Sequence, residues 1–467
     1  MAQSDDVRVT VNYHTQEPIA MPPAALPSPS ASALYREPHK VAAVYAAFIL
    51  FGLGSWIMSN CVFVEIAALY QRTPEKAAIS AYLIVAIQAS NIFPTLYMMF
   101  NNEQQLVSIR TAIWALLAMG IVVCVLLSIF WDQTSVIFGH SHSTALLILV
   151  FFGGMVSSTT SVVYYPFVAT FPPLFTSALS TGEGLSGVIA GVLGIVQDPG
   201  ASHMNITIGG FFFYGAIVFF VALLAFVFLT KSSWATEIHS SMYREDSGDF
   251  DYKFTPPLKR APPSPARKMS ETLPLVLPQS KHQFSSSVER RNYVLTKLWK
   301  PLSCQVILCA MSFGVIPSIL PFLGSKYADS AEVLKWSSVL SMACDPLARF
   351  LTSFYRWYNV TALTSLTVLL GAGMVVSSTS AHPLFSAHPL GGIAPVAANC
   401  TFVFLFAYSQ TMAYLTLKRE VRYNETYATT AYQWSGYLAQ MGGLLGTVII
   451  FPLVTYTSLF QGSYGSV

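Results

Sequence analysis

Apolar runs of about 20 residues recur eleven times along this chain, at about 42–68, 78–100, 109–131, 144–169, 173–196, 209–230, 302–323, 333–355, 359–378, 391–416 and 430–457. Each is long enough to cross the ~30 Å hydrocarbon core of a bilayer as a helix. Only helices and closed barrels satisfy their own backbone hydrogen bonds in that medium. Only 10% of the 467 residues are charged and the mean hydropathy is +0.53, whereas soluble domains carry roughly 25% charge. The chain therefore reads as an all-α polytopic membrane protein with about 11 transmembrane helices.

Charge gives the orientation. With the N-terminus in the cytoplasm, 21 of the 25 Lys and Arg residues fall on the inside, and only Arg72, Lys76, Lys326 and Lys335 fall outside. That asymmetry is the positive-inside pattern. Eleven spans then put the C-terminus outside. The expected organisation is a disordered cytoplasmic tail (1–40), an N-terminal bundle of six spans (41–230), a disordered cytoplasmic loop (231–300), a C-terminal bundle of five spans (301–457) and a short extracellular tail (458–467). The loop is rich in Ser, Pro and charge, as in "PPLKRAPPSPARK", which is the composition of a solvated tether.

Several chemistries are excluded or disfavoured. The net charge of +3 gives no footprint for nucleic acid. No GxxxxGK[ST] phosphate loop, zinc motif or nucleophile motif is present, so neither an ATP-driven pump nor an enzyme is expected, and no cofactor is implied. All six cysteines lie inside apolar runs, and all nine histidines lie outside them. "HSH" at 140–142 reads as plain loop. "NIT" at Asn205 is a glycosylation sequon in a segment expected outside.

The informative residues are the polar ones that hydrocarbon does not tolerate well. An ionisable group within a span marks function by default. Glu65, Glu183 and Asp345 qualify, and Arg349 stands four residues after Asp345 in "DPLAR", where one helical turn lets the two pair as a structural or gating lock. Glu183 sits mid-span between glycines in "TGEGLSG", which permits close approach of a backbone or ligand. Glu65 is placed near the outer end of its span, within reach of water. Trp56 and Asn60 share a helix face, while Glu65, nine residues beyond Trp56, points to the opposite side of an unbroken helix. With Gln88, Asn91, Ser157 to Thr160, Tyr164, Gln410 and Gln440, they suggest a cavity of amides, hydroxyls and aromatics nearly free of fixed positive charge. Such a lining suits a neutral, planar, polar-edged solute and suits phosphates or carboxylates poorly.

These residues also carry a resemblance. "FGLGSW…N…VE" at 51–65, "PE" at 74–75, "SAYL" at 80–83, "IQASN" at 87–91, "SSTTSVVYYPF" at 157–167, "GEGLSG" at 182–187, "GVIPSILPF" at 314–322, "DPLA" at 345–348 and "QMGGLLGTVIIFPLV" at 440–454 together resemble the eukaryotic riboflavin transporters of the solute-carrier type, in that family's order. The chain departs from the family's usual Leu-Pro at Ile66-Ala67, from "PEGW" at "PEKA", and from Asn at Asp345. The resemblance implies riboflavin uptake across the plasma membrane by alternating access. It also implies a 6+5 two-bundle arrangement similar to equilibrative nucleoside transporters and the major facilitator class. Riboflavin and the lipid bilayer are the expected partners; oligomeric state is left open. Trp56, Asn60, Glu65, Gln88, Asn91, Thr160, Tyr164, Glu183 and Gln440 are then the candidate substrate contacts. An amide can complement the uracil-like edge of the flavin, an aromatic ring can stack on it, and Glu183 can accept from the ribityl hydroxyls. A carrier of another neutral ring solute, such as a nucleoside, and a non-transporting membrane receptor are the alternatives.

Overall fold

The computed structural model describes residues 37–75, 79–104, 107–137, 139–197, 204–244, 287–324, 326–327, 330–388, 390–422, 424–457 and 459–460. The expected tails at 1–36 and 461–467 and the centre of the connector, 245–286, lie outside the described residues.

The first half consists of α1 (Pro38–Leu53), α2 (Ile57–Arg72), α3 (Ile79–Ala89), α4 (Ile92–Gln104), α5 (Ile109–Phe130), a two-stranded hairpin of β1 (Ser135–Ile137) and β2 (His140–His142), α6 (Thr144–Ala169), α7 (Pro173–Gln197) and α8 (Ile208–Lys231). After the connector helices α9 (Ser233–Arg244) and α10 (Ser287–Lys297), the second half consists of α11 (Trp299–Cys309), a π-helical turn (Ala310–Val315), α12 (Ile316–Gly324), α13 (Ser330–Leu351), α14 (Val360–Thr379), α15 (Ile393–Glu420) and α16 (Glu425–Tyr456). Among the described residues, nine helical stretches are long and apolar enough to cross a bilayer, and the bent pair α1 and α2 makes a tenth. The eleventh expected span is α13. With Glu332, Lys335, Asp345 and Arg349 it is the most charged of the expected spans and is not among those nine.

Three spans are broken, each for a local reason. Between α1 and α2 the axis turns by 47°. The break is at a Gly54-Ser55 pair, a common kink chemistry, and Ser55 Oγ donates to the Gly52 carbonyl at 2.6 Å. The second span breaks at Ser90-Asn91. Pro94 cannot donate to the Ser90 carbonyl four residues back, and that carbonyl accepts from Phe93 N at 3.0 Å and from Ser158 Oγ at 3.4 Å instead. In the seventh span the π turn precedes Pro317, which likewise removes a donor to the Phe313 carbonyl.

Each half has its own apolar core. One cluster of buried side chains is drawn mostly from residues 44–238; a second is drawn from 304–460. The first cluster also takes in Leu302 from α11, Tyr414, Leu417 and Val421 from the end of α15, and Ala428, Ala431 and Tyr432 from the start of α16. The two halves are thus joined at the end where α6, α8, α13 and α15 finish and α7 and α16 begin.

Two expectations are corrected. The connector is not unstructured throughout: α9 buries Ala235 and Ile238, and α10 with the next residue buries Val294 and Leu298. These pairs recur at three or four residues, enough for one apolar helical stripe, which the polar average over 231–300 hides. Lys40 Nζ contacts Glu237 at 2.9 Å and so ties α9 to the first span. "HSH" is not plain loop either. His140–His142 pairs antiparallel with Ser135–Ile137, and Gly139 supplies the positive φ (82°) in the turn.

Candidate functional site

The polar groups of the spans assemble at two levels. The upper level is a cavity of about 100 Å³ between the halves, lined by Trp56, Phe63, Ile87, Gln88, Asn91, Gly154, Ser157, Ser158, Phe313, Gln440 and Gly443. The helix breaks aim its walls. Trp56 is the residue before α2 begins, and its ring stacks on Phe313, from the π turn, at 5.6 Å and 15°. Gln88 and Asn91 flank the break in the second span, with Asn91 Nδ2 donating to Gln88 Oε1 at 2.9 Å. Gln440 Nε2 crosses between the halves to Ser161 Oγ at 2.9 Å. The lining contains no Asp, Glu, Lys or Arg.

The lower level is charged. Arg349 is 4% exposed and serves both halves. Its Nε donates to Asp345 Oδ2 at 2.8 Å, and one terminal nitrogen donates to Ser180 Oγ at 2.9 Å and to Glu183 Oε2 at 3.3 Å. Tyr165 also donates to Glu183 Oε2, and the Trp56 indole faces the same carboxyl. The glycines around Glu183 make the approach possible. A Cβ at Gly182 would sit 2.0 Å from the Ile49 carbonyl oxygen, and one at Gly184 would sit 2.1 Å from Asp345 Oδ2. "GEG" therefore admits the first span on one side and the Asp345 carboxylate on the other.

Below this cluster the halves are sealed. Tyr165 stacks on Tyr414 at 3.9 Å and 6°. Ser180 and Thr411 share a hydroxyl hydrogen bond of 2.7 Å, Thr352 Oγ1 donates to Ser177 Oγ at 2.7 Å, and Tyr45 bonds Ser353 at 2.8 Å. Lys418, 0% exposed, donates to the carbonyls of Ala169 (2.7 Å) and Phe171 at the end of α6. That is a favourable place for a cation, because a helix C-terminus carries partial negative charge. Along α6, Tyr165 lies eight residues beyond Ser157, about 12 Å at 1.5 Å per residue. The seal is therefore roughly two turns below the cavity.

Of the nine candidate contacts, Trp56, Gln88, Asn91 and Gln440 line the cavity. Thr160, Tyr164 and Glu183 surround a smaller hollow next to it. Tyr164 is 1% exposed and stacks on Phe51 at 4.2 Å, and Thr160 Oγ1 donates to the Ser157 carbonyl of its own helix. Asn60 is outside the cavity lining and donates from Nδ2 to Ser186 Oγ at 2.9 Å, on the same helix, α7, whose Glu183 the Trp56 indole faces. The helix breaks before Trp56 rather than after it, so Glu65 stays on the far face. The expectation that Glu65 reaches water is corrected: it is 0% exposed and accepts from Gln197 Nε2 at 2.6 Å, apart from the cavity. The Asp345–Arg349 pair forms as expected across an unbroken α13 despite Pro346. Sequence reasoning missed Phe313, Tyr165, Tyr414 and Lys418. Only Phe313 carried a signal, four residues before a mid-span proline. The exposed Asn205 donates from Nδ2 to the Val196 carbonyl at 3.0 Å. Glu75 of "PE" caps α6, accepting from Ser143 N at 2.6 Å and Ser143 Oγ at 2.8 Å.

The family described as "Solute carrier family 52, riboflavin transporter" matches residues 40–462. The chain is 29% identical to solute carrier family 52, riboflavin transporter, member 3-A of Danio rerio, over 90% of this chain and 97% of that one. It is 25% identical to member 3 of Homo sapiens (89% and 96%) and 24% identical to riboflavin transporter rft-1 of Caenorhabditis elegans (89% and 96%). Among solved structures, the E. coli fucose:proton symporter FucP superposes with a TM-score of 0.51 at 12% identity, covering 90% of this chain and 92% of that one. The proton:xylose symporter XylE superposes with a TM-score of 0.51 at 11% identity (91% and 97%). At such identities the likeness is one of fold, that of the major facilitator superfamily.

Proposed function

The chain belongs to solute carrier family 52, the riboflavin transporters, and from that premise we propose that it takes riboflavin up across the plasma membrane by alternating access. It is a multi-pass membrane carrier and not an enzyme. The observation that carries the substrate reading is the uncharged cavity between the halves. Riboflavin is uncharged at pH 7, and its flat ring carries a polar edge. Trp56 and Phe313 offer faces for the ring, and Gln88, Asn91 and Gln440 offer donors and acceptors for the edge. Glu183, Asp345 and Arg349 form the lock beneath. Asn60, Thr160 and Tyr164 brace the walls, and Glu65 braces the outer end of α2.

Drug-sized ligands occupy pockets of roughly 300–1,000 Å³. The cavity of about 100 Å³ must therefore widen, which rocking of one half against the other provides. The sealed end is the Lys- and Arg-rich one, so the proposed orientation puts it in the cytoplasm, with the N-terminus inside, the C-terminus outside and Asn205 open to glycosylation. Uptake of labelled riboflavin in cells that lack their own carrier tests the reading, with FMN, FAD, uridine and lumiflavin as competitors. Riboflavin uptake above background, suppressed by lumiflavin and not by uridine, is the expected result. Uridine uptake without riboflavin uptake would overturn it.

A further inference from the structure

A second polar cluster lies between the cavity and the sealed end, and neither the cavity nor the charged lock uses it. Gln305 on α11 is 0% exposed, and neither its Nε2 nor its Oε1 has a hydrogen-bond partner among the described residues. Gln410 on α15 is 6% exposed. Its Nε2 donates to Cys309 Sγ at 3.5 Å, and its Oε1 has no partner among the described residues. Cys309 is one turn beyond Gln305, and Tyr414 is one turn beyond Gln410, so the two amides stand on facing stripes of α11 and α15. The Tyr414 hydroxyl lies against both Gln305 and Ser435 of α16, in contacts too loose to satisfy the Gln305 amide or the Ser435 hydroxyl.

Buried amides without partners are rare in folded proteins, because each idle donor or acceptor has lost water and gained nothing. A site with no further use would hold Leu or Met. The position of the cluster supplies a use. Phe313 on the cavity wall is eight residues beyond Gln305, about 12 Å along the helix. Leu302, one turn before Gln305, packs in the apolar core that joins the halves at the sealed end. On the side of the first half, the Tyr165 ring closes the cluster by stacking on Tyr414. A solute leaving the cavity toward the sealed end passes Gln410 and then Gln305.

We propose that Gln305 and Gln410 form a second, inner station for the transported solute, occupied when Tyr165 parts from Tyr414, and that they hold the imide edge of a neutral flat heterocycle. A primary amide presents one donor beside one acceptor, which is the complement of an imide N–H beside its carbonyl. The inference rests on the riboflavin reading above and extends it to the inward-facing half of the cycle.

The test uses the full chain in oriented proteoliposomes, with riboflavin counterflow measured from each face. Gln305→Leu removes the amide and keeps a similar volume. A thermal midpoint close to the parent's is expected, because only the loose contact with the Tyr414 hydroxyl is lost; Gln305→Met covers the case in which a branched side chain packs badly. The half-saturation at the Lys- and Arg-rich face is expected to rise about tenfold relative to that at the opposite face, with Gln410→Leu moving the ratio in the same direction. Equal weakening at both faces, or no change in the ratio for either glutamine, overturns the inner station. Failure of the riboflavin reading looks different: the parent protein then shows no riboflavin counterflow at all.

Discussion

Arg349→Met is the perturbation that most directly tests the lock. Arg349 is 4% exposed and reaches Asp345 at 2.8 Å, Ser180 at 2.9 Å and Glu183 at 3.3 Å. Met keeps much of the stem and removes the charge. Removing one partner of a buried ion pair costs about 3–5 kcal/mol, since the other is left uncompensated. The lower end applies, because the Glu183 and Asp345 side chains retain 12% and 18% exposure and some access to water. The penalty falls on the state in which the halves meet at this end; when they part, both acids face an opened, wetter path. A loss of about 3 kcal/mol shifts the equilibrium away from the sealed state by roughly a hundredfold, at 1.4 kcal/mol per tenfold. Riboflavin affinity measured from the opposite face should fall by up to the same factor as the competent fraction falls. A cysteine placed at Ser177, now buried against Thr352, should become reactive to a thiol reagent. The neutral triple variant Arg349→Met/Glu183→Gln/Asp345→Asn should recover most of the loss, since neutral replacement of a buried ionic triad is often tolerated. Parent-like affinity and an unreactive Ser177→Cys in the single variant would refute the lock.

FMN should compete with riboflavin at least tenfold less effectively, because the cavity lining offers no Lys or Arg to replace phosphate hydration; equal inhibition in an uptake assay would count against a neutral pocket. Gly182→Ala should abolish surface expression, because its Cβ would lie 2.0 Å from the Ile49 carbonyl, whereas Gly373→Ala, with nothing within 4 Å of a Cβ, should express normally. Glu75→Gln should lower thermal stability by about 1 kcal/mol through the weakened cap on α6, read as a shifted melting curve of the purified protein. An epitope tag after Val467 should stain on intact cells, and staining only after permeabilisation would reverse the proposed orientation.

The spans were legible because a bilayer demands some 20 apolar residues in a row, and each expected run coincides with a helix or a broken pair of helices. The polar residues were legible as a set but not in their grouping. Asp345 and Arg349 could be paired from spacing alone, because one helical turn brings them together. The link from Arg349 to Glu183 spans 166 residues and depends on how α7 meets α13, which no local pattern encodes. Lys418 reads as an inside-loop charge yet ends fully buried, because the end of α6 supplies carbonyls that only tertiary packing presents. Tyr164 and Tyr165 are neighbours in "VVYYPF" and equivalent in the sequence. The first packs into the core of its own half against Phe51, and the second reaches the other half.

The separation of a neutral cavity from a charged lock follows from what each must do. A fixed charge on the cavity wall would have to be desolvated by an uncharged solute that cannot compensate it. The charges sit instead behind the cavity wall, where the Trp56 indole meets the Glu183 carboxyl, and there they join the halves at closure. The lock is also asymmetric. Asp345 and Arg349 share α13, one turn apart, so their pairing does not depend on contact between the halves. Glu183 is on the other half, where the hydroxyl of Tyr165 still donates to it. Parting the halves at this end separates Arg349 from two of its three partners, Ser180 and Glu183, and leaves the ion pair with Asp345 within one helix. The cost of that step is smaller than that of splitting a lone buried pair, which suits a contact that must form and break in every transport cycle.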